Sequence, residues 1–191
     1  MNPEEKISTI KSPETVVSGS FRKHMEQIGK AIDSFESSGV RVLAPTTKEM
    51  INPDEEFVIL TTDDPEKPPH KLEMDFMREI RKADFLYVVD VDGYVGQSAA
   101  TEMAYARLKN LPIIVAEDIK SLSGEIPGET QEIIKSIVSA VLPISNISRE
   151  KIDELRQRIT GLQFKSLSEK DRQILNSFLK VLLRDLKSLN K

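Results

Sequence analysis

The feature that most constrains this chain is a set of largely apolar runs too short to be helices. Phe85–Val89 (Phe-Leu-Tyr-Val-Val) is the most strand-like; Thr15–Ser18, Phe57–Thr61 and Leu111–Val115 are largely apolar, and Val40–Leu43 is apolar but for Arg41. A strand with one face in water alternates apolar and polar residues, whereas a strand apolar throughout is covered on both faces. Between the runs the apolar period becomes helical. Met25, Ile28, Ile32 and Phe35 mark a helix over Lys23–Ser38, with Gly39 suited to a left-handed cap. Leu72, Phe76 and Ile80 mark a second over His70–Lys82, and Ser98–Lys109 is an alanine-rich third. Asp63–Pro69 is a loop because of its prolines. This alternation predicts a doubly wound α/β domain with a parallel sheet of about five strands.

After Ala116 the pattern changes. Residues 117–130 are acidic and contain Gly and Pro, as loops do, and Glu129–Val141 has a helical period. Ser148–Ile159 predicts a short charged helix and Ser168–Leu189 a long amphipathic one, with Ser148 and Ser168 as N-caps. The chain thus divides into a flexible lead-in (1–13), an α/β domain (14–144) and a C-terminal helical extension (145–191). The apolar stripe of the last helix needs cover from the body or from another subunit, so a homo-oligomer is expected. The body is acidic and the extension basic. A solvated helix face or an oligomer contact is the expected role of those cations, and nucleic acid is not an expected partner.

Composition narrows the chemistry. Without cysteine there is no disulfide, thiol nucleophile or Cys-ligated zinc, and His24 and His70 are the only histidines, so no metal centre is expected. No apolar run approaches the ~20 residues of a transmembrane helix. The polar, acidic N-terminus does not resemble a signal peptide, which makes the cytoplasm the expected location.

Ligands of open α/β sheets bind where strands end and helices begin. One such junction is Gly19-Ser20-Phe21-Arg22. Glycine lets backbone approach an anion, serine donates, and arginine offers a planar fork for phosphate; the bland alternative is a helix start capped by Ser20. The other junction runs from Asp90 to Ala106. It holds Asp90, Asp92, Gly93, Tyr94, Gly96 and Ser98, then Glu102 about one turn into a helix of small residues. Glu102 comes too late for a capping box, and its alternative is a surface glutamate favoured by the helix dipole. Asp90 could instead cap the strand end.

From about Thr15 to Ala116 the chain resembles the nucleoside 2-deoxyribosyltransferase family, including its 2'-deoxynucleoside 5'-phosphate N-hydrolase branch. The resemblance rests on the strand leading to Gly19-Ser20-Phe21-Arg22, the Ile-Arg-Lys-Ala-Asp helix end at Ile80–Asp84, and Glu102-Met-Ala-Tyr-Ala106 followed by a Leu-Pro-Ile strand entry. It implies a flavodoxin-like sheet, a glutamate nucleophile carried by Glu102, no metal or organic cofactor, and a nucleoside or its 5'-monophosphate as the small-molecule substrate. The resemblance also implies that Gly19, Ser20 and Arg22 meet the sugar 5' end, with Ser98 as a nearby second donor and Arg22 favouring a 5'-phosphate. Phe21, Asp90, Gly93, Tyr94 and Gly96 complete the candidate binding set read from the two junctions. The family's usual aspartate, eight residues before Asp84, falls on Phe76; Asp75 and Asp92 are the candidates for a second carboxylate. The segment from Glu49 to Pro69 is longer than in the smallest members. The alternative functions are a catalytically silent nucleotide-binding sensor or partner module on the same fold and, third, a nucleic-acid-associated protein using the basic extension.

Overall fold

A computed structural model of the protein describes residues 12–55, 57–161 and 166–189; most of the lead-in lies outside the described residues. The chain runs β1 (Glu14–Gly19), α1 (Phe21–Ser37), β2 (Arg41–Ala44), α2 (Pro69–Lys82) and β3 (Phe85–Val89). After a 3-10 turn (Val91–Gly93) come β4 (Tyr94–Val95), α3 (Gln97–Leu108), β5 (Ile113–Val115), β6 (Ser121–Leu122), α4 (Gly128–Ser136) and β7 (Ala140–Val141). Two helices, α5 (Arg149–Gly161) and α6 (Glu169–Ser188), complete the described chain.

Five strands form one sheet in the order β2-β1-β3-β5-β7, every neighbour pair parallel. This is the flavodoxin-like order, in which the chain steps outward from β1 to β2 on one side and to β3, β5 and β7 on the other. Thr15 faces Phe85 and Gly19 faces Val89, so β1 and β3 end together. Continuous apolar strands are covered on both faces, as their composition demands. Val17, Tyr87 and Val89 pack with Ile28, Ile32 and Phe35 of α1, and the Phe35 and Tyr87 rings meet edge to face at 4.8 Å. Val16, Leu86 and Val88 pack with Met77 and Ile80 of α2 and Met103 of α3. The Tyr87 hydroxyl donates to the Leu142 carbonyl oxygen at 2.7 Å.

Two elements differ from the expectation. Phe57–Thr61 is no strand of the sheet. Its backbone turns back on residues 49–52: Ile51 N–H donates to Ile59 O (2.8 Å), Thr61 N–H to Glu49 O (3.0 Å), and Asn52 Nδ2 to Phe57 O (2.9 Å). The segment between β2 and α2 is therefore a self-bonded excursion standing over the ends of the strands. Its root is tied to α1 by an ion pair from Lys48 to Asp33. The fifth strand comes instead from the end of the expected helix Glu129–Val141. That helix stops at Ser136, and Ala140–Val141 form β7 at the edge of the sheet. The backbone there finds better partners on β5: Ser139 N–H donates to Ile113 O (2.7 Å) and Leu142 N–H to Val115 O (2.8 Å).

The helical extension packs on the body. Ile152 and Leu155 of α5 join the core on the α1 face. On the other face α6 lies across α2, α3 and α4, burying Leu175, Phe178, Leu179, Leu182 and Leu186. The Ser168 hydroxyl accepts from Asp171 N–H at 3.0 Å, the expected N-cap, and Ser148 accepts from Lys151 N–H at 3.3 Å. Many cations of the extension are paired locally, Arg149 with Asp153 and Lys151 with Glu154. Lys170 reaches across to Glu129 of α4. Among the described residues no helix is long and apolar enough to cross a membrane.

Candidate active site

The switch in strand order lies between β1 and β3, where the following segments diverge and leave a crevice. A cleft of about 540 Å³ opens there. Its floor is the junction from Gly19 to Lys23, the end of β1 and the first turn of α1. The start of α3 and Tyr94 lie on the β3 side, and the 43–63 segment and α2 close the β2 side.

Gly19 is required by this geometry. It has φ +153°, and a Cβ there would sit 2.9 Å from the Val89 carbonyl oxygen. Any side chain would push β1 from β3 at the mouth of the crevice. Ser20 precedes α1 without capping it through its side chain, and Gly96 precedes α3 in the same way. Two helix N-termini therefore reach the cleft with no side chain on their free N–H groups, a setting that favours an anion. The first turn of α1 is offset from the rest by non-helical torsions at His24. Arg22 and Lys23 of that turn line the cleft, and Lys23 Nζ stands 5.2 Å from the centre of the Tyr94 ring.

The carboxylates separate by environment. Glu102 is only 4% exposed, because Ala99, Ala100 and Ala104 let α3 lie close against its neighbours. It is an interior glutamate rather than the surface residue that a dipole argument would allow. Glu73 of α2 is 6% exposed and lines the same cleft. Glu102 Oε2, Glu73 Oε1 and the Ser18 hydroxyl have no protein hydrogen-bond partner. Burial pushes the Glu102 carboxyl well up, the charge of Glu73 adds to this, and the nearby Ser18 hydroxyl opposes it. Burial also raises Glu73, to about 7. Both carboxyls are thus pushed toward the protonated form, Glu102 by burial and by its neighbour's charge as well. Unpartnered buried carboxylates are costly, and they accumulate where a ligand completes them.

Gly19, Ser20, Phe21, Arg22, Asp75, Tyr94, Gly96, Ser98 and Glu102 all line the cleft. Phe21 meets Phe76 edge to face at 5.8 Å. Asp75 stands at the rim, bonded by Lys67 at 3.0 Å and by Arg78, and these cations hold its carboxyl below the usual range. Asp90, Asp92 and Gly93 do not reach the cleft. Asp90 is buried beneath it and accepts the Glu117 N–H on Oδ1 at 2.9 Å, the strand-end role. Asp92 is exposed and has positive φ, and its N–H donates to Glu117 Oε1 at 3.2 Å. Gly93 packs under the 118–120 backbone. Asp63 and Asp64 form a turn, accepting the N–H groups of Leu60 and Glu66. Among the described residues no group of three or more His, Asp or Glu side chains comes together as a metal site.

Sequence reasoning missed Glu73, Lys23, and the Phe57 and Leu60 wall of the excursion. Glu73 left a signal. It lies four residues before Met77 and seven before Ile80, so it belongs to the face that α2 buries. A charge on an apolar stripe is a stronger site marker than Asp75, two residues on, which stands half-buried at the rim. No protein-family model matches the chain, and no curated protein matches it.

Proposed function

We propose that this protein cleaves or transfers the N-glycosidic bond of a nucleoside 5'-monophosphate or nucleoside, as nucleoside 2-deoxyribosyltransferases do. The observation that carries the proposal is the pair of buried carboxylates, Glu102 and Glu73, in a cleft at the switch point of the sheet. The 5'-phosphate lies at the start of α1 and α3, held by Arg22, Lys23, Ser20 and Ser98. The sugar lies over the carboxylate pair. The base extends toward the aromatic wall of Phe21, Phe57 and Phe76.

The pair holds one proton between two carboxylates, and the chemistry uses both forms. With substrate in place the proton passes from Glu102 to Glu73; ionised Glu102 then attacks the anomeric carbon, and the bond from that carbon to the base nitrogen breaks. The electron pair leaves with the base, which takes a proton from Glu73. Water then attacks the anomeric carbon of the glycosyl-enzyme and gives its proton to the Glu73 carboxylate, and Glu102 is released. An incoming base in place of water gives transfer.

Glu102→Gln keeps the shape of the site and removes the nucleophile. Ligand binding is expected to persist while base release falls at least ~10²-fold. Release is followed chromatographically across nucleosides and 5'-monophosphates, with mass spectrometry for a glycosyl adduct on the wild type. Equal turnover by the variant removes Glu102 from this role. Tight binding of a monophosphate by a wild type that releases no base favours the silent binding module.

A further inference from the structure

We propose that the cleft selects a base presenting hydrogen-bond donors, an exocyclic amine above all, and that Asp63 and Glu79 make the selection. The inference rests on the N-glycosidic reading and names the substrate class within it. The strand order puts the end of β1 between two unlike halves of the cleft. Among the described residues its cationic side chains, Arg22 and Lys23, both belong to the first turn of α1, directly after β1. On the β2 side the polar side chains besides Glu73 are Thr46, Thr62, Asp63, Asp75 and Glu79. Among the described lining residues from 43 to 79 there is no Lys, Arg, His, Asn or Gln. Apart from two hydroxyls, that wall accepts hydrogen bonds and cannot donate them while its carboxyls are ionised.

Its carboxylates are not equally free. Both Asp75 oxygens are taken, by Lys67 and Arg78. Asp63 uses Oδ2 for the Leu60 N–H at 2.8 Å, which leaves Oδ1. Glu79 uses Oε1 for Lys82 at 2.6 Å, which leaves Oε2. A separate observation points the same way: Glu73 Oε1 and Glu102 Oε2 are more than nine-tenths buried, line this cleft and lack partners. A flat heterocycle fits against the aromatic edges of this half. If it turns a carbonyl to Asp63 and Glu79, lone pairs face lone pairs out of water, whereas an amine satisfies them. The anionic end of the ligand is repelled from the same wall, so the orientation is set as well.

The test uses the full chain and two matched pairs: the 5'-monophosphates of 2'-deoxycytidine and 2'-deoxyuridine, and of 2'-deoxyadenosine and 2'-deoxyinosine. Each pair exchanges an amine for a carbonyl at one ring position. Calorimetric Kd and rates of base release are expected to favour the amino member at least ~10-fold in each pair. Asp63→Asn can keep the Leu60 bond through its amide oxygen while turning a donor to the cleft, and Glu79→Gln does the equivalent. At least one of them is expected to bring the ratio near unity, with cooperative melting confirming the fold. Base release with no amine preference, or with a keto preference, overturns this inference and leaves the enzyme reading standing. Full preference retained by both variants overturns the assignment to Asp63 and Glu79. No binding or cleavage of any of the four nucleotides overturns both readings.

Discussion

At the scale of single residues, burial decides what the acids of this protein do. Asp75 and Glu73 are two positions apart on one helix, yet the first is held ionised by Lys67 and Arg78 and the second is pushed up to about 7 by burial. Asp90, fully buried at the end of β3, is also raised to about 7, chiefly by burial. Its ordinary value is near 4, so between about 4 and 7 the native protein holds a proton that the unfolded chain has lost. More protons on the native state means that stability falls as pH rises through that window and levels off above it. Asp90→Asn can still accept the Glu117 N–H and cannot titrate. Its stability is therefore expected to fall less than that of the wild type between pH 5 and pH 8, by about 1–3 kcal/mol, seen as a smaller drop in melting temperature. Parallel melting curves for the two proteins would show that Asp90 carries none of the pH dependence.

At the scale of elements, the segment after β3 is shaped by its neighbours rather than by a ligand. Asp92 and Gly93 have consecutive positive φ values, 58° and 71°. A Cβ on Gly93 would lie 2.4 Å from the Asp118 carbonyl oxygen. This contact seats the 90–93 turn under the 118–120 loop, where Lys120 N–H donates to Gly93 O at 2.9 Å and β4 pairs with β6. That small ladder holds Tyr94 and leads directly into Gly96 and the start of α3. Gly93→Ala combines a forbidden contact with an unfavourable φ and is expected to destabilise the fold by about 1–3 kcal/mol. Ligand affinity should weaken as well, although residue 93 touches no part of the cleft. Chemical denaturation together with calorimetry checks both. A variant as stable as the wild type would mean that the turn has room to give.

At the scale of the whole molecule, α6 closes one face of the protein. Leu175, Phe178, Leu179, Leu182 and Leu186 are buried against α2, α3 and α4. Each such side chain contributes ~1.5–3 kcal/mol on burial, and together they rival the ~5–15 kcal/mol by which domains of ordinary size are stable. Removing residues 166–191 is therefore expected to abolish cooperative folding, seen as loss of a thermal transition by circular dichroism and as aggregation. A shortened chain that melts within a few degrees of the full protein would make α6 an appendage. Because α6 also covers α3, which carries Glu102, losing it would open the interior that keeps that carboxylate out of water.

Local sequence determined the parts of this protein that depend on local period and composition. The largely apolar runs at Thr15–Ser18, Phe85–Val89 and Leu111–Val115 mark central strands, because a strand covered on both faces does not alternate apolar and polar residues. Gly39 marks the end of α1, with φ +74° as its position requires. The junctions after β1 and β3 mark the crevice, and Glu102 stands beside it. Tertiary packing alone decided the rest. Ala140–Val141 continue an apolar stretch that reads as helix until the open edge of β5 offers better hydrogen bonds. Phe57–Thr61 has the composition of a strand, but its partners are residues 49–52. Asp92 and Gly93 sit in the loop most suggestive of a site, yet they serve the 118–120 backbone. Glu73 becomes the partner of Glu102 because α2 turns that face inward. A side chain's neighbours in sequence set its period, but which elements pack together decides whether a carboxylate meets water, a cation or another carboxylate.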